Sequence, residues 1–179
     1  MGGEGANQAV AIARLGHPVH MIGKVGSDSF GERLRSGLEQ AGVDISAVGT
    51  VEDNSGVAMI VVSAEGDNII VVTPGANSAL RPPDLDAHVE MIRSAGLVLA
   101  QLETPMDTIE HLAQLCEHNR VPLMLDPAPS HALSPAVLRQ ISWFTPNETE
   151  AAFYAGGKKK ESLEQTTERL LQQGLRGVV

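Results

Sequence analysis

The constraint that bears hardest on this chain is an alternation that begins at Leu97. Apolar runs and helical patterns take turns: LVLAQLE at 97–103, a helical stretch at 106–119, PLMLDPAP at 122–129, a second helical stretch at 135–141, then WFTPN at 143–147. Strands that alternate with helices through short connections build βαβ units around a parallel sheet. LVLA and PLML are almost continuously apolar, the pattern of strands covered by helices on both faces. Polar residues come at the ends: Glu103 after the first run, Asp126 after the second and Asn147 after Trp143-Phe144. Ligands of open parallel sheets sit beyond the carboxyl ends of the strands, so these three tips are expected to face one crevice.

The first part of the chain reads differently. A helix opens it, the apolar segment VHMIGKV follows, and GVAMIVVSAEGDNIIVVTPGAN at 56–77 holds two β-branched runs separated by residues 64–68. Such runs around a glycine-containing turn predict antiparallel strands. The expected fold is therefore α/β, a mostly parallel sheet flanked by helices with a small antiparallel part attached. No linker or internal repeat divides residues 1–179, so one domain is expected. The last residues, GLRGVV at 174–179, read as the beginning of another sheet strand.

Composition excludes several classes of function. With 42% hydrophobic and 20% charged residues among 179, the chain can build a real core, burying roughly two-thirds of its unfolded surface. A formal charge of −9 and the lack of a basic run speak against a nucleic-acid partner. Lys158-Lys159-Lys160 reads as a solvated loop between two helices. The lone Cys116 sits on the apolar side of a helical pattern and reads as a packed, reduced thiol. No apolar stretch approaches the roughly 20 residues that span a bilayer, and no signal-peptide apolar region opens the chain. A cytoplasmic protein without membrane contact is expected.

Two stretches carry candidate chemistry. GGEGAN at 2–7 places three glycines before an alanine-rich helix, where a backbone free of side chains can approach a ligand and helix-start N–H groups favour oxygen-rich groups. It does not fit the dinucleotide fingerprint, because Gln8 holds the third glycine position. The plainer reading is a tight turn with Asn7 as N-cap. TPNETEA at 145–151 sets Asn147 three residues before Glu150, a capping-box spacing that explains the pair as a helix start. At a strand tip, the same Glu150 carboxylate can hold the waters of a phosphate-bound Mg²⁺.

Together and in order, GGEGANQAVAIARLG (2–16), GKVGSDSFGERL (23–34), SGVAMIVV with GDNIIVVTPGAN (55–77), QLETP (101–105), DPAP (126–129) and TPNETEA (145–151) resemble the ribokinase-like, or PfkB, family of carbohydrate kinases. The resemblance implies transfer of the γ-phosphoryl group of ATP to a hydroxyl of ribose or a similar sugar, with Mg²⁺ as counter-charge and a monovalent cation in some complete members. It implies sugar contacts from Gly3, Glu4, Gly5, Ala6, Asn7 and Glu103, a nucleotide contact from Asn147 and a place near Mg²⁺ for Glu150. The strands within 55–77 correspond to part of a lid that covers the sugar and, in ribokinase-type members, pairs two subunits into a homodimer.

Two departures from the family pattern bear on activity. Members usually carry lysine where this chain has Glu4. At ~8 Å and an effective dielectric of ~20, that reversal would shift the interaction with a phosphate charge by about 4 kcal/mol before screening. If Glu4 points at the sugar instead, it changes hydroxyl preference more than ATP binding. Complete members also begin with a strand bearing an Asn-x-Asp sugar contact and end beyond a Gly-Ala-Gly-Asp segment that supplies the catalytic aspartate and anion hole. Neither motif occurs in these 179 residues, so no catalytic residue is assigned. The expectation is a piece of a longer kinase, inactive alone. The alternatives are a non-catalytic sugar-binding or lid-pairing module, or part of another sugar or nucleoside kinase of the family.

Overall fold

The computed structural model describes residues 2–63, 65–66, 68–156 and 162–179. They belong to two compact units, one ending at Arg81 and one running from Pro82 to Val179.

The first unit is itself α/β. Helix α1 (Glu4–Arg14) leads into strand β1 (His20–Gly26), helix α2 (Ser29–Gln40) and strand β2 (Asp44–Val51). The strands pair in parallel from His20↔Asp44 to Gly26↔Val51, with α2 as the crossover. Asp28 starts α2 by accepting the Gly31 amide at 2.8 Å, the bond an N-cap aspartate makes. Ala9 of α1, Leu38 of α2, Val25 of β1 and Ile45 and Val48 of β2 close one apolar core. The sequence marks VHMIGKV only as an apolar segment and gives no sign of β2, so this parallel pair is an addition to the expected architecture.

Strands β3 (Val57–Val62) and β4 (Asn68–Thr73) form the expected antiparallel ribbon, in register from Val57↔Thr73 to Val62↔Asn68. The expected turn between them includes positions 64 and 67, which lie outside the described residues. Apolar side chains on this ribbon stay in solvent, with Met59 63% and Ile69 68% exposed. A short 3-10 turn, Gly75–Ala79, returns the chain to the unit's core at Ala76.

The second unit carries short helices α3 (Pro82–Asp86) and α4 (Val89–Ser94), then the alternation read from the sequence: β5 (Val98–Gln101), α5 (Met106–Asn119), β6 (Leu123–Asp126), α6 (Pro135–Gln140), β7 (Trp143–Phe144), α7 (Glu148–Tyr154) and α8 (Leu163–Gln172). The sheet is parallel in the order β5-β6-β7. The strand start expected in GLRGVV is present: Val178 bridges Phe144 in parallel, the Phe144 N–H donates to the Gly177 carbonyl at 3.0 Å, and the Val179 N–H donates to the Phe144 carbonyl at 2.9 Å. Helix α5 buries Ile109, Leu112, Ala113 and Cys116, a stripe at helical spacing, and ends where Arg120 turns left-handed at φ 58°. Burial pushes the Cys116 thiol up to about 11, as expected of a packed cysteine. Lys158-Lys159-Lys160 lie outside the described residues. Among the described residues, no helix is long and apolar enough to cross a membrane.

Candidate functional site

In the first unit the Gly3–Asn7 segment is the first turn of α1 and not a loop ahead of it. Gly3 is the N-cap in extended conformation, and the Asn7 N–H donates to the Gly3 carbonyl at 3.1 Å, closing the turn. The expectation of Asn7 as N-cap is therefore corrected. Its amide is already spent inside the helix, and glycine at position 3 supplies the extended entry without a side-chain cap. Gly2 sits at φ +145°, where a Cβ would come within 2.9 Å of the Ala6 Cβ, so the entry to the helix requires glycine. Gly3 and Asn7 are exposed, while Glu4, Gly5 and Ala6 are half-buried. Glu4 is the first helical residue, where the macrodipole favours a carboxylate. That gives its negative charge a structural reason that needs no ligand.

The carboxyl ends of β1 and β2 meet in a polar knot that sequence reading did not identify. The buried Ser55 hydroxyl donates to Asp28 Oδ1 at 2.7 Å and accepts the Gly26 amide at 3.0 Å, and the Ser55 amide donates to Asp28 Oδ2 at 3.0 Å. These bonds, the Ser55 hydroxyl first and the Gly31 amide next, hold the Asp28 carboxyl below its ordinary value. A side chain at Gly31 would run into the Gly26 carbonyl, so the knot closes only around glycine there. From the knot Ser55 and Gly56 lead out into β3. Gly75, left-handed at φ +50°, brings the chain back from β4, and the Ala76 amide donates to the Asn54 carbonyl at 2.9 Å. Both roots of the apolar ribbon are thus fixed to the ends of the parallel strands. Asp28 and Ser55 are 27 positions apart, so only the N-cap half of this arrangement leaves a local sequence signal.

In the second unit the three expected tips share one edge. Gln101 pairs with Asp126 and Leu125 with Phe144, which sets Glu103, Asp126 and Asn147 at the carboxyl ends of β5, β6 and β7. Glu103 is half-buried, and its neighbour Leu102 donates its amide to the Ala128 carbonyl at 2.9 Å, tying this tip to the DPAP loop after β6.

Asn147 and Glu150 make the capping box in full. Asn147 Oδ1 accepts the Glu150 amide at 2.9 Å, and the Asn147 amide donates to Glu150 Oε2 at 2.8 Å. Asn147 Nδ2 also donates to Glu150 Oε1 at 2.8 Å. Glu150 as a residue is 8% exposed, and both its carboxylate oxygens are engaged, each accepting one hydrogen bond and able to accept another. Among the described residues no group of three His, Cys, Asp or Glu side chains gathers to hold a metal. The donors here fit a Mg²⁺ that keeps its waters and is carried on phosphates, with one carboxylate accepting from those waters, and do not form a dedicated cage.

Tyr154, at the far end of α7, was not singled out by the sequence. Its hydroxyl donates to the His131 carbonyl at 2.7 Å and accepts the His131 amide at 3.3 Å. Its ring stands edge-on to Phe144 at 5.1 Å and to Phe153 at 5.0 Å.

Residues 1–179 match the family model of the pfkB family carbohydrate kinases. The ribokinase of Haemophilus influenzae is 42% identical over 156 residues, covering 87% of this chain and 51% of its own. That of Schizosaccharomyces pombe is 36% identical over 187 residues, 99% of this chain and 59% of its own. The structure of Arabidopsis thaliana ribokinase complexed with ribose and ATP aligns with a TM-score of 0.88 at 31% identity, covering 99% of this chain and 58% of that one. The chain spans about half the length of the curated relatives it matches. With the family model matched over residues 1–179, the chain belongs to the pfkB family of carbohydrate kinases.

Proposed function

We propose that this chain supplies the sugar-contacting and nucleotide-side parts of an ATP-dependent sugar kinase that transfers the γ-phosphoryl group to a hydroxyl of D-ribose or a similar sugar. The observation that carries the reading is the carboxyl edge of the second unit's sheet, where Glu103 lies just beyond β5 and the Asn147–Glu150 pair just beyond β7, the two parallel strands that flank β6. Glu103 would accept hydroxyl hydrogen bonds from the sugar, fixing which oxygen is presented. Gly3, Glu4, Gly5, Ala6 and Asn7 are proposed as further sugar contacts from the first turn of α1. Asn147 would contact the nucleotide, and Glu150 would accept hydrogen bonds from the waters of Mg²⁺. Bound Mg²⁺ supplies counter-charge to the phosphates; a monovalent cation belongs to the proposal only for a longer family member.

No residue in these 179 is assigned the task of taking the sugar proton, because the Gly-Ala-Gly-Asp motif does not occur among them. The proposal is therefore sugar binding with negligible turnover by this polypeptide. We read 1–179 as part of one ribokinase-like domain with its lid strands within 55–77, and in a cytoplasmic setting, with which the buried free thiol Cys116 accords. A lid-pairing role has its own support in the ribbon, whose exposed apolar side chains are the kind of surface that a second copy would cover. The test pairs two measurements on one preparation: calorimetric titration with D-ribose and a coupled ADP-release assay with ribose and Mg-ATP. Ribose heat without ADP release is expected. Absence of ribose heat would reject the sugar reading, and near-normal turnover would reject the assignment of no base.

A further inference from the structure

We propose that Tyr154 is a positioning residue for sugar binding, acting through the loop after β6 on the strand tip that carries Glu103. The inference rests on the reading of Glu103 as a sugar contact. Tyr154 belongs to α7, whose opposite end holds the Asn147–Glu150 pair, yet its hydroxyl serves the 127–134 loop. It takes both backbone polar groups of His131, donating to the carbonyl at 2.7 Å and accepting the amide at 3.3 Å. Three residues earlier in that loop, the Ala128 carbonyl accepts the Leu102 amide at 2.9 Å, and Leu102 is the neighbour of Glu103. A continuous path of hydrogen bonds and two short backbone segments thus joins the Tyr154 hydroxyl to the backbone of the Glu103 tip.

The phenol is held firmly enough to act as a fixed point. Tyr154 is 9% exposed, and its ring is set edge-on between Phe144 of β7 and Phe153. Its own carbonyl accepts Gln173 Nε2 at 2.7 Å, and the next carbonyl, of Ala155, accepts Arg169 Nη1 at 3.4 Å, so the end of α8 anchors the end of α7. A rigid hydroxyl holding an irregular loop by both its N–H and its C=O restricts how that loop moves, and with it the tip that leans on Ala128. The hydrogen bonds of the Asn147–Glu150 box close between those two residues in the first turn of α7 and do not run through this hydroxyl.

The test is Tyr154→Phe, which keeps the ring and removes only the hydroxyl. The intact chain, the variant and Glu103→Gln are titrated with D-ribose and separately with Mg-ADP. The expected result is a ribose Kd raised roughly three- to tenfold in Tyr154→Phe, about the size of one of the two hydrogen bonds lost at His131, with the Mg-ADP Kd unchanged and far-UV circular dichroism unchanged. Equal ribose affinity in Tyr154→Phe and the parent chain, with Glu103→Gln weakened, overturns this inference alone. No ribose heat in the parent chain overturns the sugar reading and this inference with it. A parallel loss of both affinities would mark a general structural role and also overturns it. A second measurement needs no variant: ribose is expected to slow hydrogen exchange at the His131 and Leu102 amides, and unchanged exchange in a ribose-saturated sample would contradict the coupling.

Discussion

Ser55→Ala removes one oxygen and is expected to loosen the root of the apolar ribbon. The Ser55 side chain is buried, 2% exposed, and its hydroxyl is the partner of the Gly26 amide at 3.0 Å. Alanine leaves that amide at the end of β1 without this acceptor, and an unsatisfied buried donor costs about 1–3 kcal/mol. The same change deletes the hydroxyl's bond to Asp28, so the upper half of that range is expected, about 2–3 kcal/mol. The chain's single tryptophan, Trp143, and single tyrosine, Tyr154, both lie beyond Arg81, so intrinsic fluorescence reports only the second unit. Urea titration followed by far-UV circular dichroism reports both units together, and hydrogen exchange at the Gly26 and Ala76 amides reports the first. The variant should lose stability in the circular dichroism signal and exchange faster at both amides, while the Trp143 transition moves less. A change within about 0.5 kcal/mol of the parent chain, the usual size for an inconsequential surface substitution, would show that the hydroxyl network does not fix the ribbon root.

Three further outcomes follow from the structure. Asp28 is held below its ordinary carboxyl value, so the folded state binds its proton less tightly than the unfolded chain does; its stabilising contribution is complete above the unfolded pKa of about 3.9 and is lost as pH falls through the lower folded value. Urea midpoints taken from neutral pH downward should therefore fall more steeply for the parent chain than for Asp28→Asn, and parallel curves would contradict the assignment. Cys116, fully buried with its thiol pushed up to about 11, should react with an aromatic disulfide reagent at pH 8 only slowly in the folded chain and promptly in denaturant; prompt reaction under native conditions would show that α5 opens. Glu4→Lys replaces a favourable charge at the start of α1 with an unfavourable one and should cost about 1 kcal/mol of stability. If Glu4 faces the sugar, the same variant also weakens ribose binding, whereas tighter nucleotide binding would mean that the charge acts on the phosphates.

What the sequence made legible was whatever depends on short-range pattern. The β5-α5-β6-α6-β7 alternation, the tips at Glu103, Asp126 and Asn147 and the Asn147–Glu150 box all follow from neighbours within a few residues, and the structure contains each of them. The antiparallel ribbon followed equally from two β-branched runs around a turn. Strand β2 was not legible: DISAVGTV mixes glycine and polar residues with its apolar ones, and it is a strand because it pairs with β1 and packs Ile45 and Val48 into the core with Val25 of β1 and Leu38 of α2. Asn7 misled because asparagine is a good cap in general, yet a helix already closed by the Asn7 amide on Gly3 has no need of it. The Asp28–Ser55 knot and the Tyr154–His131 bonds join residues 27 and 23 positions apart, and no local periodicity encodes such pairs.

Gly3–Asn7 of the first unit and Glu103 of the second are proposed as sugar contacts, and Asn147 and Glu150 as the nucleotide side. The most direct test is backbone amide chemical-shift mapping on the isotopically labelled chain, with D-ribose and Mg-ADP added in separate titrations. Ribose is expected to move the signals of Gly3, Gly5, Asn7 and Glu103, and Mg-ADP those of Asn147 and Glu150. Ribose and Mg-ADP shifts confined to other residues, or none at saturating concentrations, would contradict it.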